Sequence, residues 1–288
     1  MSIVVTGATG HLGRLTVEAL LARGVDPATI TATGRDPGRL AELDALGVRT
    51  AAADYDDVAS LKQAFEGADK VLLVSGIDLG RRTEQHANAI DAARSAGVTF
   101  IAYTSAPYAD TTKLLIAVEH RATEELLEAS GLAYSFLRNG WYIENYTGQL
   151  ADTIESGVLV GSAGEGKVSV AARFDYAEAA AVVLSTDGHD GKVYELGGDE
   201  GVTYADIAAA IADASGRPVV YQDVPSEVRL DGMVSAGLPA PVAEILVDAD
   251  RAIADGELEV NSGDLARLIG RPTTPLAVGV AQAVAALG

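Results

Sequence analysis

A glycine turn set directly behind the first apolar strand constrains this chain more than any other feature. Thr6-Gly7-Ala8-Thr9-Gly10-His11-Leu12-Gly13 follows Ile3-Val4-Val5 and carries the spacing G-x-x-G-x-x-G. Such a turn needs a tight reversal, then a backbone approach too close for any Cβ, then close helix–strand packing. The unpartnered amides and positive dipole end of the following helix form a seat for a pyrophosphate. A glycine triplet alone is ordinary turn chemistry. Here the strand before it and the helix after it give it a dinucleotide meaning.

The rest of the first half repeats that unit. Short apolar runs at Ile3–Thr6, Ile30–Thr33, Val48–Ala53, Lys70–Ser75, Thr99–Thr104 and Ala133–Leu137 read as strands buried on both faces. Helical stretches at Leu12–Arg23, Arg39–Leu46, Asp57–Phe65, Arg82–Ala96 and Leu114–Ser130 alternate with them. Gly24, Gly47, Gly97 and Gly131 each stand just past a helix end, where a left-handed residue lets the chain turn into the next strand. Parallel neighbours need a crossover, so the fold class is α/β: a Rossmann-type, doubly wound parallel sheet.

After Asn139 the character changes. Ala-rich helical segments at Tyr204–Ala214, Ala240–Ala254, Ser262–Ile269 and Leu276–Leu287 predict a smaller, mostly helical C-terminal lobe. The expected division is a dinucleotide-binding domain over 1–140 and a mainly substrate-binding lobe over 141–288. The chain is expected to return to the sheet within 168–197, at Val168–Ala172 and Val193–Leu196.

Composition narrows the chemistry. There is no cysteine, which excludes disulfides, zinc–thiolate sites and a cysteine nucleophile. A net charge of −20 leaves no basic field for nucleic acid. No stretch approaches the ~20 apolar residues of a membrane helix, and no basic leader precedes the first strand. The expectation is a cytoplasmic protein with a small-molecule partner, acting without nucleic acid or membrane; a homodimer is compatible with it.

The second strand ends in Thr33-Gly34-Arg35-Asp36-Pro37-Gly38-Arg39. NAD sites place an acid there for the ribose hydroxyls, whereas arginine suits the 2′-phosphate of NADP. Arg35, with Arg39 in reach, therefore favours NADP(H). The plainer reading makes Arg35 a solvated loop cation and Asp36 a helix cap. Asp54, behind the third strand, has two readings: a hydrogen bond to the adenine amino group, or a cap for the next helix. Ser75-Gly76-Ile77 would pass beneath the cofactor ribose.

Many reductases with this turn pair a tyrosine with a lysine four residues later, which lowers the tyrosine pKa for proton delivery. None of the ten tyrosines has lysine at that position. Lys113 lies five residues after Tyr108, about 100° off the required helical face. An acceptor needing little acid help fits better. A quinone is one, because its incipient phenolate is already stabilised, and catalysis then rests on positioning. Hydride transfer to it needs no flavin and no metal.

The residues Thr6–Gly13, Arg35-Asp36-Pro37, Ala53-Asp54-Tyr55, Phe100–Ser105 and Leu137-Arg138-Asn139-Gly140-Trp141-Tyr142-Ile143-Glu144-Asn145-Tyr146 resemble the NmrA-like atypical short-chain dehydrogenases/reductases. Within them the chain looks most similar to the type 2 NADPH:quinone oxidoreductases. Gly191–Leu196 and Leu268–Thr274 extend the resemblance over essentially the whole chain. It implies a flavin-independent NADPH site and a quinone cleft. By position, Gly7, Ala8, Thr9, Gly10, His11, Leu12, Gly13, Arg35, Ser75, Gly76, Ile77, Arg138, Asn139, Gly140, Trp141, Tyr142, Ile143 and Arg173 would hold the cofactor. Asn139, Gly140, Trp141 and Tyr142 would also line the nicotinamide and quinone pocket, with Asn139, Trp141 and Tyr142 positioning the reactants. His11 departs from the usual glutamine, and Ala106-Pro107-Tyr108 from the usual small or aliphatic residues.

The resemblance leaves two other readings open: an NADP(H)-binding redox sensor, and a reductase of another conjugated acceptor such as a triphenylmethane-type dye. Trp141 is also readable as core packing, and Arg173 as a solvated cation. Glu119-His120 is read as a helix-surface pair in preference to a proton relay near Tyr108. His86 and His189 have no metal-ligand company and are read as ordinary.

Overall fold

In the computed structural model, which describes residues 1–287, the chain forms two compact units. The first comprises Met1–Ala109, Val118–Asn139 and Arg173–Tyr194; the second comprises Asp110–Ala117, Gly140–Ala172 and Glu195 to the C-terminus.

The first unit repeats one device. β1 (Ile3–Val5) leads to α1 (His11–Ala22), β2 (Ile30–Gly34) to α2 (Pro37–Asp44), and β3 (Arg49–Ala52) to α3 (Val58–Phe65). β4 (Lys70–Leu73), α4 (Arg82–Ala96), β5 (Phe100–Ser105), α5 (Ala117–Ser130) and β6 (Ala133–Asn139) continue it. Gly24, Gly47, Gly97 and Gly131 all adopt positive φ, as the helix ends require. Asp36 and Asp57 cap α2 and α3, each accepting two backbone amides.

The second unit opens with β7 (Trp141–Tyr142), α6 (Glu144–Thr147), α7 (Leu150–Ser156), β8 (Val158–Gly161) and β9 (Val168–Ala171). The chain then returns to the first unit through α8 (Arg173–Ser185) and β10 (Lys192–Leu196). Back in the second unit follow β11 (Gly201–Val202), α9 (Tyr204–Ser215), β12 (Val220–Asp223), α10 (Ser226–Ser235), α11 (Ala240–Ala254), α12 (Asp264–Ile269) and α13 (Leu276–Ala285).

The main sheet has seven strands in the order β10-β6-β5-β4-β1-β2-β3. Its registers from β3 through β6 are parallel. The strand order reverses between β1 and β4, and in such sheets ligands bind outside the carboxyl ends of the strands at that switch point. All six residues of β5 are buried, as expected of a strand covered on both faces. Phe65, Leu73, Ile101, Tyr103 and Phe136 anchor the core on one side. No helix among the described residues is long and apolar enough to cross a membrane.

Two expectations are corrected. Val168–Ala171 does not rejoin the main sheet: β9 pairs with β7 and β11 in a separate three-stranded sheet, and the return is made by α8 and β10 alone. The C-terminal lobe also contains more strand than expected, since β8, which the sequence reading did not mark as a strand, pairs with β12 in a further two-stranded sheet.

Candidate functional site: a dinucleotide cradle and an aromatic cavity

The turn behind β1 is built around absent side chains. Gly7 adopts φ +58, a conformation side chains resist. A Cβ on Gly13 would lie 2.5 Å from the Gly7 carbonyl oxygen and 2.8 Å from Ala8 Cα. Gly10 occupies the cap position of α1 with no side-chain hydrogen bond, and no acidic residue stands in the first turn. The amides of His11, Leu12 and Gly13 open the helix and so lack intrahelical acceptors. A pyrophosphate fits this end on geometry and charge alike.

Beside it, β2 ends at Gly34, where a Cβ would lie 2.5 Å from the Thr9 side chain. The second strand and the glycine turn thus touch through a residue whose role the sequence reading missed. Arg35 follows, exposed, with no hydrogen bond or ion pair among the described residues. Arg39 is committed: its Nη1 donates to the Thr9 carbonyl at 2.8 Å, and its Nε lies 3.7 Å from the Asp36 carboxylate. Asp54 accepts the Asp56 amide at 3.0 Å, while Asp57 caps α3, which removes the capping reading of Asp54.

Three side chains the sequence did not single out fix the strand ends. Thr6 Oγ1 donates to the Leu72 carbonyl at 2.9 Å and accepts the Val74 amide at 2.9 Å. The Tyr55 hydroxyl lies 2.6 Å from both this oxygen and the Val74 carbonyl, and its single proton serves one or the other. Burial pushes the Tyr55 phenol up, so it stays protonated. The Ser75 amide donates to Thr104 Oγ1 at 2.8 Å.

Gly76 is held from both sides. Its amide donates to His86 Nε2 at 2.9 Å, and its carbonyl accepts from Arg82 Nε at 2.7 Å. Thr123 Oγ1 donates to the Glu119 carbonyl, so at its 2.9 Å contact with His86 Nδ1 it is the acceptor. Both contacts require neutral His86 with its proton on Nδ1. Burial, then the Arg82 charge, brings its pKa down to about 3. His86 is therefore a neutral buried histidine whose two ring nitrogens are both hydrogen-bonded. The helix-surface reading of Glu119-His120 is likewise overturned: His120 is buried with its Nδ1 2.7 Å from the Tyr103 hydroxyl, and Glu119 pairs with Arg82 at 3.4 Å.

Arg138 and Asn139 close β6, both buried. The Arg138 guanidinium is bidentate on Glu124, with Nε–Oε1 at 3.0 Å and Nη2–Oε2 at 2.7 Å. This strong, matched pair gives Arg138 a structural partner that the sequence reading did not foresee. Arg173 is the first residue of α8. The first unit thus gathers Gly7–Gly13, Arg35, Asp54, Ser75–Ile77, Arg138 and Asn139 at the carboxyl ends of its strands.

The remaining candidates lie in the second unit. The Gly140 amide donates to the Leu196 carbonyl at 2.7 Å, Trp141 and Tyr142 form β7 against Val170 and Ala171, and the Ile143 amide donates to the Ala171 carbonyl at 3.0 Å. Trp141 borders a cavity of about 550 Å³ within this unit. Tyr146 and Tyr204 add aromatic surface, and Met233, Leu238 and Leu246 supply aliphatic surface from the C-terminal helices. Its size and lining suit a small aromatic ligand.

Comparison with known proteins bears on both features. The family described as NAD(P)H-binding matches residues 7–187. Quinone oxidoreductase 2 of Escherichia coli is 45% identical over 97% of this chain and 98% of its own. The crystal structure of an NADPH-dependent quinone oxidoreductase from E. coli, complexed with NADPH, superposes with a TM-score of 0.92 at 45% identity, covering 99% of each chain. Triphenylmethane reductase of Citrobacter sp., complexed with NADP(H), gives 0.92 at 39% identity, covering 98% of this chain and all of its own, 100%.

Proposed function

The chain belongs to the NAD(P)H-binding, NmrA-like reductases, and from that membership we propose that it transfers hydride from NADPH directly to a quinone. The observation that carries this reading is the glycine cradle at Gly7–Gly13, where Gly7 takes positive φ and Gly13 has no room for a Cβ, beside an Arg35 without a hydrogen-bond partner among the described residues. When bound, NADPH supplies the hydride. The protein's own work is to hold and orient: α1 amides on the pyrophosphate, Arg35 on the ribose phosphate, and Ser75–Ile77 beneath the sugar. Asn139, Trp141 and Tyr142 position the reacting rings. No tyrosine precedes a lysine by four residues, which favours an acceptor that itself absorbs the electron pair. Quinones do so, and quinone reduction is the activity in the name of the E. coli relative.

The same reading places the protein in the cytoplasm, acting on a small planar acceptor rather than on nucleic acid or a membrane; sedimentation would test a homodimeric assembly. The decisive measurement is loss of NADPH absorbance on adding a small quinone to purified protein. Turnover with NADPH well above NADH is expected, and none by folded protein would overturn the reading. A second acceptor class is favoured by one observation: the likeness to triphenylmethane reductase, whose cationic dyes a protein of charge −20 would attract.

A further inference from the structure

The charged side chains bordering the aromatic cavity are Asp152, Arg229 and Asp250. Asp152 is exposed and screened by solvent. Asp250 is 3% exposed and already well supplied with donors. One of its oxygens accepts from the Tyr204 hydroxyl; the other accepts from the Ser162 amide at 2.9 Å and its hydroxyl at 3.1 Å. Burial, with the neighbouring Tyr146 and Asp250, keeps the Tyr204 phenol protonated.

Arg229 stands differently. It shares the half-buried side of α10 with Met233, one turn on. Its Nε is 3.6 Å from the Asp250 carboxylate, close enough for attraction but too long for a hydrogen bond. That Nε is buried and makes no hydrogen bond among the described residues. The terminal guanidinium nitrogens are the reachable donors: the Arg229 side chain is 24% exposed, borders the cavity, and makes no hydrogen bond among the described residues. A ligand oxygen in the cavity can accept from them.

We infer that Arg229 is the acceptor anchor of this enzyme, donating to a carbonyl oxygen of a quinone held in the cavity. This rests on the hydride-transfer reading above and adds a residue to it. The acceptor gains one hydrogen with two electrons, NADPH is oxidised to NADP+, and a quinone oxygen takes up the negative charge. A solvent proton then completes the hydroquinone. The guanidinium meets that developing charge where no tyrosine–lysine pair exists to protonate it. A cationic triphenylmethane dye behaves oppositely: hydride uptake neutralises it, no oxyanion forms, and a nearby cation gives no help.

The test compares Arg229→Gln and Arg229→Lys with the unaltered protein, using a neutral naphthoquinone and a cationic triphenylmethane dye. For Arg229→Gln, kcat/KM with the quinone is expected to fall about tenfold or more, while kcat/KM with the dye holds or rises. Lysine should recover part of the quinone activity. Equal losses on both acceptors would mark a merely structural role and overturn the inference, as would an unchanged quinone rate. Trp141, the sole tryptophan, borders the same cavity and gives a readout without turnover. Naphthoquinone should quench its emission, with a weaker binding constant in Arg229→Gln; an equal constant would overturn the anchor. Quenching that weakens in the variant while the unaltered protein shows no turnover would instead sink only the hydride-transfer reading.

Discussion

The Gly76 amide donates to His86 Nε2 at 2.9 Å, across the gap between the loop behind β4 and the second turn of α4. Because Arg82 takes the Gly76 carbonyl, one peptide group on each side of a single residue is fixed by α4. His86→Phe keeps the bulk and removes the acceptor, leaving a half-buried amide without its partner at a cost of about 1 kcal/mol. The expected result is several-fold weaker NADPH binding by calorimetry, with His86→Gln closer to the unaltered protein. Equal binding by all three would remove the loop from the cofactor site.

Stability should fall on acidification before any carboxylate titrates. Burial and the Arg82 charge depress both His86, to about 3, and His120, well below its ordinary value. An unfolded histidine takes its proton near 6.5, so below that pH the unfolded chain binds more protons than the folded one. The stabilisation is intact above about pH 6.5 and is lost at about 1.4 kcal/mol per pH unit per histidine as pH falls toward 3. Glu257, held to about 2 by Thr112, Arg251 and the Lys113 amide against the opposing effect of burial, adds a loss that begins below about 4.5. Urea midpoints at pH 7 and pH 5 check this, with a shallower slope expected for His86→Gln.

Arg35 and Arg39 should separate on cofactor preference. Arg39 already serves Thr9 and Asp36, whereas Arg35 has no such partner among the described residues. Arg35→Ala is expected to cut the NADPH-over-NADH ratio of kcat/KM by about tenfold or more, the worth of a charged phosphate contact. Arg39→Ala should cost less. A larger effect at Arg39 would reassign the phosphate.

Glu124→Ala would remove the bidentate partner of the buried Arg138 guanidinium. Removing one partner of such a pair costs about 3–5 kcal/mol, so a large drop in thermal midpoint is expected. A shift within a degree or two would show that water or another group reaches Arg138.

What the sequence made legible was local. The turn at Gly7–Gly13 and the helix-ending glycines were readable because backbone conformation there is decided by a few neighbouring residues. Ala240–Ala254 was readable for the same reason, its Pro239 and Pro241 marking the start. β9 was misplaced because its apolar run says that it pairs without saying with which strand. α10 escaped because none of its residues is buried and it carries no apolar stripe. His86 and Gly34 were missed for a related reason: each acquires its role from a group brought in by the fold, the Gly76 amide in one case and Thr9 in the other.

The first unit is assembled from three separate stretches of chain, with pieces of the second threaded between them. No single cut can therefore release either unit whole. A truncated gene would encode neither unit entire, and homologous exchange of one unit would need several coordinated crossovers. Such a protein is inherited and lost as one piece, and changes in its acceptor range must arise by substitution within the existing chain rather than by grafting a new module onto an old one.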